Sequence, residues 1–263
     1  MVSIEIPVVE SWLHAIYIGV EGARLRLEDR RKAVEVAAML SEIGRALNRR
    51  AIRSPVTLVD AAAGKSYLGL LSAKLLLEPM RRHAEVLTIE RDPRRVELSR
   101  QAVLLLNTPV PIHCRAADLA LEPAWPERPT IIAALHACGP AADEIIAQTI
   151  ARRARMLLLV PCCTGKSVAA ARRAEKAAAK LGVPRHAPVR RRFVQAWVDA
   201  ERTLRLEAAG YETEVVELVA PTVTPHNLLW RARLVSERAR MTSAAAALDT
   251  MLAAGAVDSH DGE

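Results

Sequence analysis

Between residues 56 and 181 two hydrophobic periodicities alternate along the chain. Five short aliphatic runs, Val56–Asp60, Val86–Glu90, Val110–Cys114, Thr130–Leu135 and Met156–Val160, are apolar almost throughout, as strands covered on both faces are. Between them, Tyr67–Leu77, Pro93–Leu106, Ala141–Ala151 and Ser167–Leu181 carry mixed sequence of helical length, with Pro93 in a first turn where its missing N–H costs nothing. Strand and helix in strict succession predict a parallel, doubly wound α/β sheet.

Upstream, Val34, Ala37, Ala38, Leu40, Ile43 and Leu47 recur at helical spacing among charges, so the stretch from Val8 to about Arg50 reads as helical. Downstream, a long helix over Val189–Ala209 ends at Gly210, with Phe193, Ala196, Trp197, Leu204 and Ala208 as its expected core stripe. Two further runs follow, Glu212–Leu218 and Asn227–Val235. Their Pro-rich connection (Pro221–Pro225) is too short for a crossover helix, which predicts an antiparallel hairpin. The Ala-rich end reads as a frayed helix and flexible tail. Three segments are expected: a helical cap (1–50), the sheet domain (51–240) and the tail (241–263).

Composition narrows the class. With 263 residues and 51% hydrophobic content there is ample core material, but aromatics are only 3%, so Leu, Val, Ile and Ala must build it and no aromatic platform for stacking on bases is visible. The formal charge is +7, and the last four acids all lie beyond the final Arg240, so the body is more basic than that figure. Long-range attraction then favours polyanionic partners. No apolar run approaches the roughly 18 residues of a membrane span, and acids stand where a secretory signal would begin with basic residues. A cytoplasmic protein is expected, with Cys114, Cys138, Cys162 and Cys163 reduced rather than bridged.

Open parallel sheets bind ligands beyond the carboxyl ends of their strands, so the residues following each run are the candidates for chemistry. After the first stands Asp60-Ala61-Ala62-Ala63-Gly64-Lys65-Ser66-Tyr67, whose small side chains let a ligand approach the backbone. Gly64-Lys65-Ser66 and Gly165-Lys166-Ser167 suggest phosphate loops, but the glycine required five positions earlier is Val59 or Val160, inside a strand. Asp60 and Glu90 end successive strands, an arrangement suited to a nucleoside cofactor. Either one alone would read as a cap or a solvated charge.

The five-strand sheet closed by an antiparallel hairpin is similar to class I methyltransferases, α/β proteins with a Rossmann-like sheet of seven strands, the last antiparallel. Asp60-Ala-Ala-Ala-Gly64-Lys65-Ser66-Tyr67-Leu68 resembles the Asp-x-Gly-Ala-Gly-Lys-Gly-Tyr-Leu loop of one branch of SAM-dependent methyltransferases. Leu135-His136-Ala137-Cys138-Gly139 and Pro161-Cys162-Cys163 resemble two further motifs of that branch, in the same order. Two glycines of its loop are Ala62 and Ser66 here, which narrows the backbone's approach to a cofactor.

The resemblance implies S-adenosylmethionine as cofactor, held by Asp60, Ala62, Gly64, Ser66, Tyr67, Glu90, Arg91, Asp118, Leu119 and Leu135. It implies methyl transfer near His136 and Cys162 as candidate catalytic residues. Cys138, Cys163, His226 and Asn227 would face the acceptor. His136 could act as a base or simply orient its loop, and the cysteines could be nucleophiles or apolar packing. No metal is expected, since adjacent Cys162 and Cys163 reach one ion poorly and no Cys-x-x-Cys knuckle exists. The charge, together with the family likeness, points to RNA as acceptor, and the basic run Arg190-Arg191-Arg192 could meet a phosphate backbone or be an ordinary solvated helix face. A small-molecule or peptide methyltransferase, or an inactive RNA-binding module of the same fold, would fit the same residues.

Overall fold

The computed structural model of the chain describes residues 3–256 apart from 21, 50, 51, 53, 54, 163, 164 and 166. Two helices come first, α1 (Ile6–Leu13), prolonged by a wider π-type turn at His14–Ile18, and α2 (Leu27–Leu47). The alternating region then runs β1 (Val56–Ala61), α3 (Tyr67–Ser72) continued through Ala73–Leu77 into α4 (Glu78–Met80), β2 (Ala84–Glu90), α5 (Pro93–Leu106), β3 (Ile112–Ala116), β4 (Ile131–Ala137), α6 (Pro140–Ala151), β5 (Met156–Pro161) and α7 (Ala169–Lys180). It closes with α8 (Ala187–Ala208), β6 (Tyr211–Glu217), β7 (Leu228–Leu234) and α9 (Arg238–Ala254).

The strands form one seven-stranded sheet in the order β3-β2-β1-β4-β5-β7-β6. The first five pair in parallel, and β7 lies antiparallel between β5 and β6, with Leu159 opposite Trp230 and Val215 opposite the same residue. The direction of winding reverses between β1 and β4, which leaves a crevice beyond their carboxyl ends.

Strand side chains alternate between the two faces, and this divides the core. Val56, Leu58, Val86, Ile131, Ala133 and Leu158 pack under α1, α2, α3 and α5. Their neighbours Val59, Leu87, Ile132, Ala134, Leu157 and Leu159 pack under α6 and α8 and against Trp230. Helices α1 and α2 therefore share a core with the sheet, through Leu13, Ile16, Val36, Leu40 and Ile43.

Two elements differ from the sequence expectation. The buried face of α8 runs through Val194, Val198, Glu201, Arg202 and Leu206, while Ala196 is exposed and Phe193, Trp197, Leu204 and Ala208 are only half-buried. The helix is flanked by α6, α7, α9 and β6, so neighbours on several sides choose its inward face and bury charges with it: Arg202 pairs with Asp143 at 2.8 Å, and Glu201 meets Arg173 and Arg205. The C-terminal residues, expected to fray, form α9 as far as Ala254 and pack along α8. Residues 257–263 lie outside the described part. Among the described residues no helix is long and apolar enough to cross a membrane.

Candidate functional site

The loop from β1 to α3 carries three successive left-handed residues at alternate positions, Ala62 (φ 54°), Gly64 (φ 58°) and Ser66 (φ 55°). This region is strained for residues with a Cβ. The two substitutions of glycine noted in the sequence thus keep a glycine-like backbone at the cost of strain. The turn is secured from β2: Gly64 N donates to Glu90 Oε2 at 2.8 Å and Ala63 N to the Ile89 carbonyl at 3.0 Å. Glu90 Oε1 accepts from Asp92 N at 3.0 Å. Each carboxylate oxygen has two lone pairs, so Glu90 organises the loop and can still accept a further hydrogen bond.

Asp60 does not face the crevice. Its carboxylate is buried and accepts from Gly69 N at 2.8 Å, which fixes α3 to the end of β1. Burial pushes its pKa up to about 7, and the charge of Glu90 adds to the rise, while the Gly69 N–H partly offsets it. Gly69 allows this approach, because a Cβ there would lie 2.8 Å from Thr88 Cγ2 and 3.1 Å from Asp60 Cβ.

The cap reaches the same loop. Tyr17 donates its hydroxyl to the Lys65 carbonyl, its ring meets Tyr67 edge-on at 5.1 Å, and the Lys65 ammonium stands 5.4 Å from the Tyr17 ring centre. Burial raises the Tyr17 hydroxyl pKa, so it remains a donor. Tyr67 and Lys65 thus tie the loop to the cap, while Ser66 Oγ is buried with no hydrogen-bond partner among the described residues.

A cleft of about 440 Å³ opens beyond β1, β2, β3 and β4. Of the residues singled out in the sequence it gathers Ala62, Glu90, Arg91, Asp118, Leu119, His136 and Cys138. Arg95 of α5 and Glu144 of α6 also line it and gave no signal in sequence, since each sits in a helix among other charges. Asp118 Oδ1 accepts from Ala120 N at 2.9 Å, an Asx-type turn that holds the third loop. Leu135 packs with the hydrophobic core instead.

His136 sits at an irregularity in β4, where the pairing with β5 shifts between Leu135 and Ala137, and its own φ is 64°. The bulge turns its side chain out of the ladder. Its Nε2 lies 2.7 Å from Glu35 Oε1 of α2, and Lys32 Nζ lies 3.0 Å from Glu35 Oε2. Burial raises the Glu35 pKa, but the hydrogen bond to His136 and the charge of Lys32 outweigh it and hold the group below its ordinary value. Glu35 was invisible in sequence, because only the packing of α2 over the sheet brings it to His136.

Cys138 and Cys162 are joined by a disulfide, which corrects the expectation of reduced cysteines for this pair. They follow adjacent parallel strands, and the Cα atoms stand 5.2 Å apart, within the range a disulfide spans. In this state Cys162 offers no thiolate, so the nucleophilic role considered for it is not available. Cys163 and Lys166 lie outside the described residues. Among those described, Cys114 is the free cysteine and no three His, Cys, Asp or Glu side chains converge as metal ligands.

His226 and Asn227 are not in the cleft but in a second pocket, beside Pro161 and α8. Asn227 Nδ2 donates to the Val219 carbonyl at 2.8 Å and braces the turn between β6 and β7.

Sheet order, antiparallel β7 and a cleft at the switch point define the class I methyltransferase fold. Residues 31–170, more than half of the chain, match the profile of a methyltransferase-domain family, and the chain belongs to that family. No curated protein matches it by sequence.

Among solved structures, magnesium protoporphyrin IX methyltransferase from Synechocystis PCC 6803 with bound SAH is 11% identical, with 88% of this chain and 100% of that one covered at a TM-score of 0.52. A fibrillarin/Nop5p complex is 11% identical over 76% and 81% of the chains (TM-score 0.47). A TehB-like SAM-dependent methyltransferase from Corynebacterium glutamicum is 12% identical over 87% and 96% (TM-score 0.44). At such identities the likeness to the first speaks for the fold alone.

Proposed function

We propose that the protein is an S-adenosylmethionine-dependent methyltransferase whose acceptor is RNA, of the branch marked by the Leu-His-x-Cys-Gly and Pro-Cys-Cys motifs. The observation that carries the cofactor reading is the cleft itself, where a buried Glu90 with unused acceptor capacity, a turn-held Asp118 and the small-residue loop face one space. Glu90 would accept from ribose hydroxyls, Asp118 from the adenine amino group beside the apolar Leu119, and the backbone near Ala62 and Gly64 would border the rest.

Bound there, the cofactor supplies an activated methyl group on a sulfonium. The protein's share is alignment of the acceptor and removal of its proton where one must leave. His136, which lines the cleft and pairs with Glu35, would take that proton. RNA as acceptor rests on the net charge of +7 and on exposed arginines beside the sheet's carboxyl edge.

Isothermal titration with S-adenosylhomocysteine tests the cofactor reading. Wild type should bind, and Glu90→Ala should bind at least about tenfold more weakly through loss of charge-assisted hydrogen bonds. Absence of binding by wild type would overturn it. Transfer of radiolabelled methyl to total RNA but not to a small-molecule extract is the result expected for the acceptor, and the reverse would reject RNA.

A further inference from the structure

Beside the Cys138–Cys162 bridge lies a pocket of about 240 Å³ that the cofactor cleft does not include. It opens at the same edge of the sheet. Pro161 ends β5, and Leu228 begins β7, which runs antiparallel to β5, so both stand at the carboxyl end of the parallel strands. Cys138 lines the cleft and Pro161 lines the pocket, so the two spaces adjoin across the bridge.

The lining divides by chemistry. Pro225 and Leu228 present exposed apolar surface with buried Pro161 and Trp230 behind it, and the Trp230 indole is fixed by its hydrogen bond to Thr203 Oγ1 at 3.0 Å. One helical face of α8 supplies the polar groups, since residues 191, 195 and 199 follow at four-residue spacing. Gln195 Nε2 donates to both oxygens of Asp199, at 3.0 and 2.9 Å, so the acid is oriented while keeping acceptor capacity. Arg191 and Arg192 are exposed, and neither has a hydrogen-bond or ion-pair partner among the described residues. His226, from the turn before β7, also lines the pocket. Elsewhere, arginines close to acids are engaged, as Arg190 with Glu175 and Arg233 with Glu212.

We propose that this pocket is an acceptor subsite that takes one unpaired nucleotide of an RNA strand, its base against Pro225 and Leu228 and its phosphate on Arg191 and Arg192. The inference rests on the methyltransferase reading and names how its substrate is held. A pocket this size admits a single base and excludes a duplex, so the nucleotide must come from a loop or end or be turned out of a helix. An apolar wall with an oriented acid recognises a flat ring bearing N–H groups, and the two guanidinium groups match phosphate geometry. An uncharged small acceptor would leave both arginines without a role.

The test is fluorescence anisotropy with a labelled single-stranded oligoribonucleotide of mixed sequence and with the same RNA as a duplex. Wild type is compared with Arg191→Gln/Arg192→Gln and with Arg128→Gln/Arg153→Gln, a charge-matched pair on the opposite edge of the sheet. S-adenosylhomocysteine titration of each variant checks folding and the cleft. The expected result is loss of at least about tenfold in single-strand affinity for the first variant, a change of no more than about twofold to threefold for the second, and unchanged cofactor binding in both.

Equal losses in the two variants would overturn the pocket while leaving an RNA substrate in place. Duplex bound as tightly as single strand would overturn the single-nucleotide mode. Absence of any RNA binding by wild type that still binds the cofactor would overturn RNA as acceptor, and this subsite with it.

Discussion

Glu35 Oε1 and His136 Nε2 stand 2.7 Å apart, although one belongs to a helix outside the sheet and the other lies near the end of the fourth strand. The pair binds the N-terminal helices to the site. It also meets the needs of a His136 held in a left-handed backbone conformation, where an unsupported side chain would let the bulge relax.

Replacing Glu35 with Ala should lower stability by about 1–3 kcal/mol, since it leaves His136 and Lys32 without their shared acceptor. Urea unfolding measures this. Because the Glu35 pKa is depressed, its contribution is present above the ordinary carboxylate range and is lost as pH falls through the folded value. Wild type and Glu35→Ala should therefore converge in stability under acid conditions; a difference that stays constant down to low pH would refute the role.

Asp60 has the opposite sign. A carboxyl with a folded pKa of about 7 keeps its proton in the native state between about pH 4 and 7, while the unfolded chain loses it. Stability should then fall as pH rises through that window, by at most on the order of 4 kcal/mol for this one group. Asp60→Asn can still accept from Gly69 N and should flatten that part of the pH profile. An unchanged slope in the variant would contradict the assignment.

Ala62 and Ser66 occupy φ values that glycine adopts without strain. Substituting either with Gly should stabilise the protein by roughly 0.5–1 kcal/mol, the relief of left-handed strain less the added chain entropy of glycine. Ser66→Gly also removes a buried hydroxyl that has no partner among the described residues. Thermal melts would show the gain, and a loss at both sites would reject the strained loop.

Gly69→Ala should act in the other direction. The new methyl would meet Thr88 Cγ2 and Asp60, so α3 must move away from β1 and β2 at a cost of about 1–3 kcal/mol. The loop ahead of α3 moves with it, and affinity for S-adenosylhomocysteine should fall together with the midpoint of chemical unfolding.

The Cys138–Cys162 bridge closes a segment of 24 residues. Chain-entropy arguments give it about 3 kcal/mol of stabilisation. Reduction by a phosphine, or the double change Cys138→Ser/Cys162→Ser, should lower the melting temperature to a similar degree, and the phosphine should have no further effect on the double variant.

Local pattern alone was enough for the seven strands, their direction and the antiparallel close, because aliphatic runs buried on both faces and connection lengths leave few ways to arrange the sheet. Ala62, Glu90, Arg91, Asp118, Leu119, His136 and Cys138, which the family resemblance implies, stand at or just past the carboxyl end of a strand, and a parallel sheet brings such positions to one edge. What depends on packing between distant segments was decided only in three dimensions.

Glu35 is one charge among many in a helix until α2 lies over β4. Asp60 carries the sequence signature of a ligand contact, but the close approach of α3 at Gly69 turns it inward. The inward face of α8 departs from its sequence stripe because several neighbours, rather than one sheet, surround it. The pairing of β4 with β5 brings Cys138 and Cys162 together, and the bridge between them follows from a Cα separation that sequence spacing does not encode. Periodicity is a property of short stretches of chain and survives in the sequence; the partners of a buried charge or thiol are set by which surfaces meet on folding.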